Sequence, residues 1–65
     1  MTVNEMLNYI YENRSKKPNK NVINMFRIYL ESCLQDRISM DQIMEEFNNG
    51  LTVEMFEGQV KEYLN

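Results

Sequence analysis

Between Asn21 and Arg37 the chain reads NVINMFRIYLESCLQDR, its longest run of apolar residues at helical spacing. At about 100° per residue, Val22, Ile23, Met25, Phe26, Tyr29, Leu30, Cys33 and Leu34 fill an arc of about 180°. Asn24, Arg27, Glu31, Ser32 and Gln35 hold most of the remainder. A surface helix needs an apolar stripe only about 100° wide. The wider arc predicts a central helix over about residues 20–36 that touches at least two neighbours. Ile28 falls on the polar side and has no place in that scheme.

Three shorter segments carry narrower stripes, and each opens on the same local pattern: an apolar residue, a hydroxyl residue, and a second apolar residue five positions after the first. Met1-Thr2 with Glu5 and Met6, and Ile38-Ser39 with Gln42 and Ile43, each combine a capping box with a hydrophobic staple. Leu51-Thr52 with Phe56 has the cap and the staple without the box. The first helix, about 3–13, places Val3, Met6, Leu7, Ile10 and Tyr11 on one face. It stops before the polar loop Arg14–Lys20, where Pro18 blocks continuation and Asn19 is placed to cap the second helix. The third, about 40–48, offers Met40, Ile43, Met44 and Phe47, and Gly50 suits the left-handed turn that closes it. The fourth, about 53–64, offers Val53, Phe56, Val60, Tyr63 and Leu64, with Gly58 on its polar face.

No segment alternates with strand period, and no linker divides the chain. The expected fold is all-α: a single helical domain over residues 1–65, a compact array of four short helices packed around the second. A chain of 65 residues buries only about 60% of its unfolded surface and is marginal alone. Small domains often gain a disulfide, a metal or a second copy. An internal disulfide is excluded because Cys33 is the only cysteine, and its place on the apolar arc reads as a buried, inert thiol. A homodimer suits the small core.

No stretch approaches the roughly 18 apolar residues of a membrane span. The start MTVNEMLNYIYENR lacks the basic head and apolar run of a signal peptide. With one unpaired cysteine, these features make the cytoplasm the expected location. The chain has no His, Trp or Ala but nine Asn, a bias of AT-rich coding that points to a low-GC bacterium, a phage or a mobile element.

The net charge of −3 is unevenly spread. Residues 1–20 carry four cations, Arg14, Lys16, Lys17 and Lys20, against two acids, while residues 21–65 carry three cations against eight acids. A patch of four cations in one loop is a candidate phosphate contact. No aromatic residue interleaves with it, and the acidic remainder repels a duplex. The last two helices, over about 39–64, have the outline of a helix-turn-helix, yet the second presents Glu54, Glu57 and Gln59 where base and phosphate donors belong. The order of a helix, a KPN turn, a long apolar helix, ISMDQIMEEF and GLTVEMFEGQVKEYL resembles the N-terminal core-binding domain of tyrosine recombinases. That resemblance spans most of the chain and implies a helical DNA clamp. The family's catalytic domain, with its arginines, histidine and tyrosine, has no counterpart here, and the acidic balance departs from a clamp.

Catalytic chemistry finds little to work with. Neutral-pH proton transfer most often uses His, and there is none. Asp41 and Glu45 share a helix face, but two carboxylates make too few converging ligands for a metal, and no calcium-loop pattern is present. Gly50 and Gly58 stand apart and form no phosphate cradle. Cys33 has no histidine to activate it. No enzyme activity, cofactor or metal is expected.

Three large apolar residues fall off the stripes: Tyr9, Ile28 and Met55. If they converge they make a patch of the kind that binds partners. The expected function is therefore a small non-enzymatic protein-interaction module, a regulator or inhibitor of a larger protein. Tyr9, Ile28 and Met55, with Glu54 and Glu57, would meet the partner, and the acidic half suits one with a basic surface. The alternative is a DNA-binding regulator or recombination accessory factor using the 14–20 loop and the 39–64 region. For stability, Ser39→Ala should cost about 1 kcal/mol through its lost cap. Phe26→Ala should cost about 3–5 kcal/mol by emptying the middle of the core. Thermal melts that rank the two equal would contradict the wheel assignment.

Overall fold

A computed structural model describes residues 1–65 and contains four helices and no strand: α1 Val3–Asn13, α2 Lys20–Gln35, α3 Met40–Asn48 and α4 Val53–Leu64. Each starts where a side-chain oxygen accepts one of the orphan backbone N–H groups of the first turn. Thr2 and Glu5 exchange two hydrogen bonds of 2.9 and 3.1 Å, and Ser39 and Gln42 two of 2.7 and 3.2 Å, so both capping boxes close. Asn19 caps α2 at 3.0 Å and Thr52 caps α4 at 3.1 Å. The bond to the Thr2 backbone and hydroxyl also holds the Glu5 carboxyl below its ordinary pKa.

Both α2 and α3 end in the same turn. Ile38 N–H donates to the Cys33 carbonyl and Arg37 N–H to that of Leu34; Leu51 N–H donates to Glu46 and Gly50 N–H to Phe47. This pairing satisfies carbonyls that the helix end would orphan, and it requires a left-handed residue after the cap. Gly50 supplies one at φ 112° without a Cβ to strain. The other is Arg37, at φ 65°, a position where a non-glycine residue is disfavoured.

α1 and α2 form an antiparallel pair, with Arg27 donating to Asn4 at 3.2 Å. α3 lies along α1 in the same sense: the Met1 amine is 3.4 Å from Asp41, and Tyr9 packs on Phe47. α4 runs along α2, from Phe56 beside Phe26 to Tyr63, whose hydroxyl shares a 2.8 Å hydrogen bond with Ser32. α2 thus has α1 and α4 as its main partners, and α3 joins the array chiefly through α1.

Twelve residues are buried, all apolar: Met6, Leu7 and Ile10; Phe26, Leu30 and Cys33; Met40, Ile43 and Phe47; Val53, Phe56 and Val60. Phe56 is the hub of this core. Its ring stacks on Phe26 at 5.8 Å and meets Tyr29 and Phe47 edge-on at 5.5 and 5.2 Å. Tyr9 continues the series from Phe47, and Tyr63 from Tyr29. Six of the seven aromatic residues are joined in this way, across all four helices.

The stripes end earlier than their periodicity suggests. Leu34 is 48% exposed, although the wheel puts it on the apolar arc of α2. Its helix overruns its neighbour, because α1 begins opposite Arg27, two turns before Leu34. Tyr63 and Leu64 are likewise exposed, at 56% and 41%, on a last turn of α4 that only the Tyr29–Ser32 edge of α2 meets. Arg37→Gly should raise stability by about 1 kcal/mol, because glycine adopts the left-handed turn without strain. Urea unfolding checks it, and a variant less stable than the parent would mean that the Arg37 side chain holds the turn.

Candidate functional site

The 14–20 loop is shorter on free charge than its sequence suggests. The Arg14 guanidinium crosses to α4 and donates from Nε and Nη2 to the two carboxylate oxygens of Glu57, at 2.8 and 3.3 Å. A third donor, Nη1, holds the Lys16 carbonyl at 2.9 Å and so braces the loop itself. Lys61, one turn along α4, adds its ammonium to Glu57 at 3.3 Å. The Arg14 and Glu57 side chains are only 12% and 14% exposed, so the pair is shielded and two-pronged, the geometry in which such contacts are strongest. The hydrogen bond from Arg14 holds the Glu57 carboxyl below its ordinary range, with help from Lys61 and against the opposing effect of burial. Glu57 in turn pushes Arg14 upward.

Two of the expected contact residues are therefore paired with each other and half-buried. Glu57 is withdrawn from the surface by Arg14, and Arg14 is withdrawn from the basic loop by Glu57. Tyr9 is partly engaged as well: its ring lies 5.1 Å from that of Phe47, half-buried between α1 and α3. Lys16, Lys17 and Lys20 remain exposed without a carboxylate partner, and Glu54 is exposed on the first turn of α4.

Ile28 and Met55 are each 56% exposed, as the wheels place them. They do not meet in a common pocket. Ile28 stands on the outer face of α2 among Asn24, Glu31 and Gln35. Met55 lines an open groove of about 450 Å³ with Leu51, Glu46, Asn49, Gly50 and Gln59. That volume is within the range of ligand pockets, yet four of the six lining residues are polar or glycine, and the groove encloses little.

Five more large apolar side chains are exposed: Met1, Leu34, Ile38, Tyr63 and Leu64, between 39% and 56%. All five lie at one end of the array, where α1 and α3 begin and α2 and α4 finish. Sequence reading missed them as a group. All five fall on stripes or staples in the sequence, and only the helix pairing shows that they gather at one end and stay largely uncovered.

Cys33 is 6% exposed, and burial pushes its thiol pKa up, which keeps it protonated and unreactive at neutral pH. Burial also raises the Tyr11 phenol, whose hydroxyl is enclosed without a hydrogen-bond partner. No group of three His, Cys, Asp or Glu side chains converges. No helix is long and apolar enough to cross a membrane.

Comparison with protein-family models, with curated proteins and with solved structures finds no match to this chain. The likeness to the recombinase core-binding domain thus rests on helix order alone.

The Arg14–Glu57 pair carries a prediction with a definite sign. Glu57→Gln should cost about 2 kcal/mol near neutral pH by weakening a charge-assisted, largely buried pair. A carboxyl with a lowered folded-state pKa stabilises above its ordinary value of 4.5 and loses that contribution as the pH falls through the folded value. Urea unfolding of both proteins from neutral to acidic pH should show the gap closing on acidification. A gap that widens instead contradicts the pairing.

Proposed function

We propose that this chain is a small non-enzymatic protein-interaction module, a regulator or inhibitor of a larger protein in the cytoplasm, of a phage or mobile-element kind. The observation that carries this reading is the surplus of apolar surface. The twelve-residue core closes on itself with no polar intruder, and seven large apolar side chains remain outside it. Single exposed apolar residues are ordinary, but five at one end of so small an array exceed what packing requires. The chain has no histidine, and no set of potential metal ligands converges to compete with that surface as the working part.

A DNA-binding regulator or recombination accessory factor is the second reading, favoured by the three unpaired loop lysines, Lys16, Lys17 and Lys20. Against it, Glu54 and the Glu57 clasp flank the same loop on α4, and α4 offers only Lys61 as a cation, already held by Glu57. Capture from the source cell under conditions that preserve weak complexes, followed by mass spectrometry, should return one dominant protein. A gel shift at low salt should show no retardation of duplex DNA at micromolar protein. Recovery of the bait alone, or a retarded duplex that survives physiological salt, would overturn the protein-interaction reading.

A further inference from the structure

We infer that the end of the array formed by the last turns of α2 and α4 and the start of α3 is a docking face for a cationic amphipathic segment of another protein, an apolar stripe flanked by lysines or arginines. This rests on the interaction reading above and names the surface and the chemistry of its partner.

The apolar part is supplied by Leu34, Ile38, Tyr63 and Leu64, with Met1 at the edge. Much of it is rigidly presented. Ile38 sits on the turn fixed by its own N–H to Cys33 and by that of Arg37 to Leu34, and the Tyr63 ring is held by Ser32 and by the edge of Tyr29. A surface fixed before binding loses little freedom when a partner arrives, which favours affinity.

Charge selects the occupant. Around these residues stand the exposed carboxylates of Glu31, Asp36, Asp41 and Glu62, against two cations, the guanidinium of Arg37 and the Met1 ammonium 3.4 Å from Asp41. Two copies meeting through this face would set one acidic rim against another, and an anionic membrane surface would be repelled in the same way. A head-to-tail copy would bring the basic loop at the opposite end, residues 14–20, which holds no large apolar side chain to cover Leu34 and Ile38. A segment with an apolar centre and a cationic rim meets both requirements.

The test is a two-dimensional amide NMR titration of the full chain with a model helix of about five turns, leucine on one face and lysine on the rest. A matched helix with glutamate in place of lysine is the control. The leucine–lysine helix should shift the amides of Leu34, Arg37, Ile38, Asp41 and Leu64 and leave those of Ile28 and Met55 in place. The leucine–glutamate helix should shift none. Leu34→Ser with Ile38→Ser should weaken binding at least about tenfold. Should that variant melt early, Asp36→Lys with Asp41→Lys on the exposed rim serves instead and should reduce the preference for the lysine helix by a similar factor. The inference is overturned if neither helix binds, if both bind equally, or if the shifts map to Met55 or Ile28. The last result would leave the protein-interaction reading standing while removing this face from it. Shifts at the same amides on raising the protein concentration without peptide would assign the face to a second copy and overturn the proposal as well.

Discussion

Four helices of 9 to 16 residues cannot hold themselves in water, since isolated helices of such length are marginal and draw their stability from tertiary packing. In this chain that packing converges on one ring. Phe56 touches Phe26 and Tyr29 of α2 and Phe47 of α3, and Phe47 passes the contact to Tyr9 of α1. Large aromatic side chains bury more area per residue than aliphatic ones and add a directional attraction between rings. For a small chain this is an efficient way to give every helix a share in one core. The longest helix, α2, provides the floor on which α1 and α4 lie, and the ring with the most aromatic neighbours, Phe56, comes from α4.

The remaining architecture follows from that hub. α4 must lie along α2 to place Phe56 beside Phe26, and its first turn then comes within reach of the 14–20 loop. Arg14 and Glu57 close that end of the molecule with a shielded ion pair. At the other end nothing equivalent happens. The last turn of α2 continues past the start of α1, that of α4 meets only α2, and Leu34, Ile38, Tyr63 and Leu64 stay largely in solvent beside a mostly acidic rim. One end of the array is sealed by charge and the other is left apolar, and that asymmetry is the physical basis of the functional proposal.

How far the sequence announces this depends on the range of each interaction. Helix starts were legible because a cap and its partner are three residues apart: Thr2 with Glu5, Ser39 with Gln42. Core stripes were legible because burial repeats every three or four residues, and Met6, Leu7, Ile10, Phe26, Leu30 and Cys33 all lie where periodicity placed them. The pairing of Arg14 with Glu57 spans 43 positions, and that of Tyr9 with Phe47 joins helices that are not consecutive, so neither leaves a local trace. That is why Tyr9, Arg14 and Glu57 read as free surface groups. The apolar end was illegible for a related reason: a wheel shows which residues face inward but not where the neighbouring helix stops. Arg37 gave no warning either, since the left-handed turn it occupies is usually marked by glycine.

The dependence of the fold on ring-to-ring contact at Phe56 is open to one direct measurement. Phe47→Leu, Phe56→Leu and the double variant keep apolar bulk at both positions while removing the edge-on contact that joins α3 to α4. Urea unfolding of the three variants and the parent closes a thermodynamic cycle. The account predicts a coupling of about 1 kcal/mol between the two positions. Single costs that add to within about 0.3 kcal/mol would show that the rings act only as independent apolar volume, and would contradict it.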